Sequence, residues 1–327
     1  MAAQYGKPHL SFDEQLDLLI GRGLICFDRP GAVAALERIG YYRFSGYVYP
    51  FREMLPPDEQ GLASPTHFRS EAIRPGTRFE DVLAVWKFDR MLRLLILDAV
   101  ETIEIGVRTR LAYTLGLRDP FGHLDPAHLG DRAREPADAD DTTRSRHDRW
   151  VEDHRVDIEA NRHDDYLRHN LHKYDELPIW IAVETMSFGR LVTLFQLLDP
   201  ADQTQIARSL AVQGKGLFTS WLKALNYLRN TCAHHARVWN RSLTYTLKKM
   251  TDSQVREPLH HLCGVAPTKK IYSALAIAAY LVTEIDPDSG WSAKARQHLL
   301  NFPDVPHLAP TVQMGLPPDW QEESLWR

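Results

Sequence analysis

The sequence predicts an all-α protein, on three observations. No Val-, Ile- and Thr-rich run alternates between turn pairs anywhere in the 327 residues, so no sheet is supported. From Phe79 to about Leu117, apolar residues cover most of a helical circumference, with neither Pro nor Gly before Gly106. Unbroken, at 1.5 Å per residue, that helix spans on the order of 55 Å. Finally, Trp221–Arg241 reads as one amphipathic helix. At 100° per residue, Phe218, Trp221, Leu225, Leu228, Cys232, Ala236 and Trp239 share an arc.

The elements follow in order. Ser11-Phe-Asp-Glu14 has capping-box spacing and opens a helix over residues 12–20, which Gly21 and Gly23 can close. Asp28 with Pro30 starts a second helix, ending at Gly40. Tyr41–Arg52 then places six aromatics and two Arg in twelve residues. Arg interleaved with aromatics can stack on unpaired bases, which makes Tyr42 and Arg43 candidate RNA contacts. The competing reading is a core cluster with Arg lying over the rings.

Residues 56–76, rich in Pro, Gly and Ser, read as a loop, and Thr77 as the cap of the long helix. In that helix Glu104 and Arg108 are spaced for i,i+4 pairing. The polar stretch 118–176 reads as a solvated helix pair flanked by an acidic loop, Asp138–Asp141. Residues 177–198 read as one apolar helix with Pro178 in its first turn. A short helix over 201–210 and another apolar one over 271–285 follow, and from Phe302 a Pro-rich extended tail is expected. The expected organisation is a helical and aromatic segment over 1–60, a helical domain over 61–302 with a polar insertion near 118–176, and the tail over 303–327.

Bulk properties narrow the function classes. Hydrophobic content of 44% and charged content of 25% suit a soluble globular protein. No run of 18 apolar residues and no signal pattern occurs, so no membrane association and a cytoplasmic location are expected. Three Cys without paired spacing and scattered His without a ligand motif argue against a disulfide framework and a metal site, so no cofactor is expected.

Charge is unevenly distributed. The chain has a net charge of −4, yet residues 203–251 hold eight Lys and Arg and no carboxylate, leaving −12 for the remainder. Within this window Asn226, Asn230, His234, Arg237 and Arg241 fall on a second stripe of the Trp221–Arg241 helix. A solvated helix face normally mixes Glu with Lys. This stripe, with no acid, suits a phosphate. The alternative is a basic face paired with the acidic remainder of the fold.

An Arg followed five residues later by His recurs at Arg118/His123, Arg149/His154, Arg229/His234 and Arg256/His261. With 29 Arg and 15 His, chance gives roughly 1.3 such pairs, so the spacing alone is weak. Pro and Gly interrupt the first and last pairs, and acids surround the second. Only Arg229/His234 lies in the acid-free window. On an ideal helix those two side chains stand about 140° apart, so they converge only at a helix end, a kink or a subunit interface.

These residues carry a family resemblance. Tyr41-Tyr-Arg-Phe-Ser-Gly-Tyr47, Phe88-Asp-Arg90, Ile103-Glu-Ile-Gly-Val-Arg108, Leu177-Pro-Ile-Trp180, Ser187-Phe-Gly189 and Leu228-Arg-Asn-Thr-Cys-Ala-His-His235 together resemble the Abi-like family, the AbiD/AbiF abortive-infection proteins, within the HEPN superfamily of RNases. The resemblance implies a HEPN-like helical bundle with a small N-terminal helical extension. It implies metal-independent RNA cleavage by Arg229, Asn230 and His234, with two such motifs meeting across a homodimer. It further implies an antiphage or toxin–antitoxin role and association with a small noncoding RNA, with no DNA partner expected. Asn226, His235, Arg237, Arg241, Lys248, Lys249 and Arg108, with Tyr42 and Arg43, are the expected RNA contacts. The rival class is a non-catalytic protein that grips a structured RNA without cutting it.

Overall fold

The computed structural model describes residues 6, 8–62, 64–138, 143–245, 247–266 and 268–327. Of the expected acidic loop, residues 139–141 lie outside the described residues. The chain is mostly helical, as predicted, and divides into two compact units. One comprises Met1–Arg93 with Gln297–Leu316, the other Leu94–Arg296 with Pro317–Arg327. The division falls inside the long helix.

The first unit begins with α1 (Phe12–Gly21), α2 (Arg29–Ile39) and α3 (Tyr41–Val48). The capping box forms: the Ser11 hydroxyl accepts from the Glu14 N–H at 3.3 Å, and Glu14 accepts from the Ser11 N–H at 2.7 Å. Half of the six aromatics in the Tyr41–Arg52 segment are core. Phe44, Tyr47 and Phe51 are buried, and Phe44 stacks on Phe79 at 4.5 Å.

β1 (Arg52–Met54) pairs antiparallel with β2 (Arg69–Ile73), which corrects the expectation of no sheet. These strands are short and half-solvated, so no apolar alternation betrays them in the sequence. The first part of α4 (Phe79–Gly116) completes this unit's core through a buried polar triad. The Tyr47 hydroxyl donates to Asp89 at 2.5 Å, and Arg93 donates to Tyr47 at 3.0 Å and pairs with Asp89.

The second unit contains the rest of α4, α5 (Arg146–Ala160), α6 (Asp165–Lys173), α7 (Ile179–Thr185), α8 (Phe188–Leu197), α9 (Pro200–Ser209), α10 (Lys215–Ala233) and α11 (Ile271–Ile285). α12 (Trp291–Leu300) crosses the division, and α13 (Pro310–Met314) belongs to the first unit. The helix expected over 177–198 is two helices, because Ser187 caps α8 by accepting from the Arg190 N–H at 3.3 Å. The carbonyl of Met186, at the break, accepts from Arg108 at 3.0 Å.

α5 is less solvated than expected: His123, His147, Trp150 and His154 form a buried aromatic cluster. The segment from Phe302 is folded down and not an extended tail. Trp320, Leu325 and Trp326 are buried, and the Trp326 indole donates to the Tyr272 hydroxyl at 3.1 Å. No helix among the described residues is long and apolar enough to cross a membrane.

α10 is the centre of the second unit. Phe218, Trp221, Leu225, Leu228 and Cys232 are buried along one face, as the periodicity predicts. Phe218 meets Phe195 of α8 edge-on at 5.3 Å, and Trp221 meets Tyr280 of α11 at 6.0 Å. The opposite side of this anchored helix carries the candidate site.

Candidate functional site

α10 stops at Ala233, which corrects the single helix expected over 221–241. The His235 N–H donates to the Cys232 carbonyl at 2.9 Å and the Ala236 N–H to the Thr231 carbonyl at 3.0 Å. Those two bonds are a Schellman closure, with His234 as C-cap and His235 left-handed at φ 55°. Glycine normally takes that position, so no sequence signal marks the end. The reversal buries Val238 and Trp239 together, whereas a continuing helix would set them 100° apart.

The Arg229 guanidinium donates to the Asn230 Oδ1 at 3.3 Å, and the His234 N–H donates to the Asn230 carbonyl at 3.0 Å. Asn230 therefore touches both members of the pair, one through its side chain and one through its backbone. Asn230, His234 and His235 are exposed and Arg229 is half-buried.

Burial and pairing separate the four Arg/His repeats. Arg118 pairs with Asp202, Arg149 with Asp138 at 3.0 Å, and Arg256 with Glu284 at 2.9 Å. Their histidines are enclosed: His123 and His154 are each 1% exposed, and the His261 ring contacts the Pro258 carbonyl and the Tyr272 hydroxyl. Among the described residues Arg229 has no carboxylate within ion-pair distance, and the His234 imidazole makes no hydrogen bond. Of the four, only this pair has both a guanidinium outside any ion pair among the described residues and an exposed imidazole.

The site is not free of acid in space. Arg229 lines a cleft of about 360 Å³ with Glu101, Glu104 and Arg108 from α4. Burial raises the Glu104 carboxyl above its usual range, against the opposing pull of Arg108 and Arg229. Arg108 is held by Glu104 at 2.9 Å, Glu184 at 3.2 Å and the Met186 carbonyl. The sequence window missed this wall because its acids come from another helix.

The other candidates are dispersed. Asn226 packs over Gly189 of α8, where an added Cβ would lie 3.3 Å from its amide. Arg237 is half-buried within the reversal. Arg241 donates to the Tyr227 hydroxyl at 2.7 Å and lies over that ring. Lys248 and Lys249 are exposed, and the chain returns Lys248 to the start of α10, where its N–H donates to the Ser220 hydroxyl at 3.3 Å. Tyr42 and Arg43 are exposed on α3 of the first unit. Among the described residues, no group of three His, Cys, Asp or Glu is placed to hold a metal ion.

No curated protein and no solved structure matches the chain. A family model described as Abi-like protein matches residues 34–240, well over half the chain and including Arg229, Asn230 and His234. The chain belongs to the Abi-like protein family.

Proposed function

We propose that this protein is a metal-independent endoribonuclease of the HEPN type, acting in abortive-infection defence and carrying a small noncoding RNA. The observation that supports this reading is the contrast among the four Arg/His pairs. Three are tied into the fold by acids and burial, and one combines a guanidinium outside any ion pair among the described residues with an exposed imidazole.

RNA brings its own nucleophile, the 2′-OH, so the protein needs neither Ser nor Cys. His234 takes the 2′-OH proton or protonates the leaving 5′ oxygen. Arg229, with a fixed fork of donors, stabilises charge developing on the phosphorane. Asn230, whose Oδ1 accepts from Arg229, orients His234 or the phosphate. A 2′,3′-cyclic phosphate and a 5′-OH result. The second site needed for convergence comes from another copy of the chain, so the active form is a homodimer, checked by its light-scattering mass.

The deciding experiment incubates purified protein with RNA in EDTA, comparing wild type with Arg229→Ala and His234→Ala. Cleavage lost in both variants while RNA binding persists supports the nuclease. Binding without cleavage by any of the three proteins assigns a non-catalytic ribonucleoprotein role instead.

A further inference from the structure

Away from the Arg229 end, the first half of α10 borders a cleft of about 500 Å³ whose rim holds Arg132, Lys215, Lys223 and Lys248. None of these four has a carboxylate within ion-pair distance among the described residues. The one acid on the rim, Asp131, belongs to Arg134 at 3.4 Å. Lys248 reaches over the first turn of α10, its ammonium 3.0 Å from where a Cβ on Gly216 would stand.

A neighbouring cleft shows how this fold treats arginines elsewhere. It shares Arg132 and Lys223, but its other cations are neutralised: Arg146 by Glu135, Arg149 by Asp138, and Arg190 by Asp153 and Asp157. In the first cleft the like charges act on each other instead. Burial, then Arg132, then Lys248, push the Lys223 ammonium below its usual range. An anion seated among the four would relieve that repulsion.

We propose that this cleft binds the polyphosphate group of a nucleotide, either free or at the 5′ end of an RNA. The volume suits a nucleotide-sized ligand. An RNA backbone brings one charge per nucleotide, so a cleft of this size would meet only one or two backbone phosphates. A triphosphate concentrates three or four charges, matching the four cations. Tyr245, 47% exposed on the rim, offers a ring face for the base. Lys223 and Arg229 are six residues apart, about 9 Å along α10. The cleft is therefore distinct from the Arg229/His234 end, and the proposal does not rest on the nuclease reading.

The test is calorimetric titration of the full chain with ATP and with inorganic tripolyphosphate, without divalent cations. Wild type is compared with Lys223→Gln and Arg132→Gln. Both side chains reach solvent, and thermal unfolding of each variant without ligand checks the fold. Both ligands bind wild type, and each variant weakens them about tenfold. No binding of either ligand at millimolar concentration, or variants that fold and bind like wild type, overturns the proposal.

An RNA carrying a 5′-triphosphate is compared with the same RNA ending in a 5′-hydroxyl. Preference for the triphosphate assigns the RNA end as the source. Equal affinity, with ATP still bound, assigns the free nucleotide. Repeating the titrations on His234→Ala protein separates this result from any failure of cleavage.

Discussion

His234 and His154 each stand five residues after an arginine, yet they do different work. His154 is enclosed with His123, His147 and Trp150, and its arginine faces Asp138. His234 ends a helix in solvent, and its arginine makes no ion pair among the described residues, although Glu101 and Glu104 line the same cleft. The same spacing thus gives a core histidine in one region and a candidate reacting group in the other. A short motif states which groups are near in sequence, while burial and partners decide which are available.

The largest expected effect breaks this comparison at its reactive side. His234→Ala lowers RNA cleavage about 10²–10⁴-fold. Arg149→Ala, which removes the acid-paired arginine of the other region, leaves the cleavage rate per folded molecule unchanged. A rate loss of similar size in Arg149→Ala would erase the distinction.

The next effect concerns arginines that have acids. Asp89→Ala strands the buried Arg93 and the Tyr47 hydroxyl, and should cost about 3–5 kcal/mol in denaturant unfolding. Arg229 has no such partner, so Arg229→Ala should change stability by well under 1 kcal/mol.

The enclosed histidines predict a pH dependence. Burial, with His154 and His147 nearby, pushes His123 down to about 3. Burial likewise lowers His154 to about 4, with Asp157 opposing and Arg190 and Arg155 adding to it. Both rings are neutral when folded and take a proton more readily when unfolded, so acid favours unfolding. Their contribution is complete above about pH 6.5 and is lost as the pH falls toward 3, a change of several kcal/mol. His154→Leu should partly flatten the stability profile across that window, read by denaturant unfolding at a series of pH values.

The smallest effect sharpens the role of the helix end. His235→Gly relieves a left-handed residue and should stabilise the fold by about 0.5–1 kcal/mol, read as a rise in Tm. If His235 contacts RNA, the same variant binds RNA more weakly despite its greater stability.

The helical class, the capping box at Ser11, the span of α4 and the core face of α10 are all legible in the sequence. These rest on local spacing and propensity, which a single strand of text records. That α10 stops at Ala233 is visible only in three dimensions, because His235 adopts a glycine-like conformation no composition signal announces. The tertiary structure also decided that Glu101 and Glu104 face Arg229 from α4, and that Lys248 joins Lys215 and Lys223 at the other end of α10. Contacts between residues distant in sequence set burial and charge pairing, and those two quantities separate one open Arg/His pair from three closed ones.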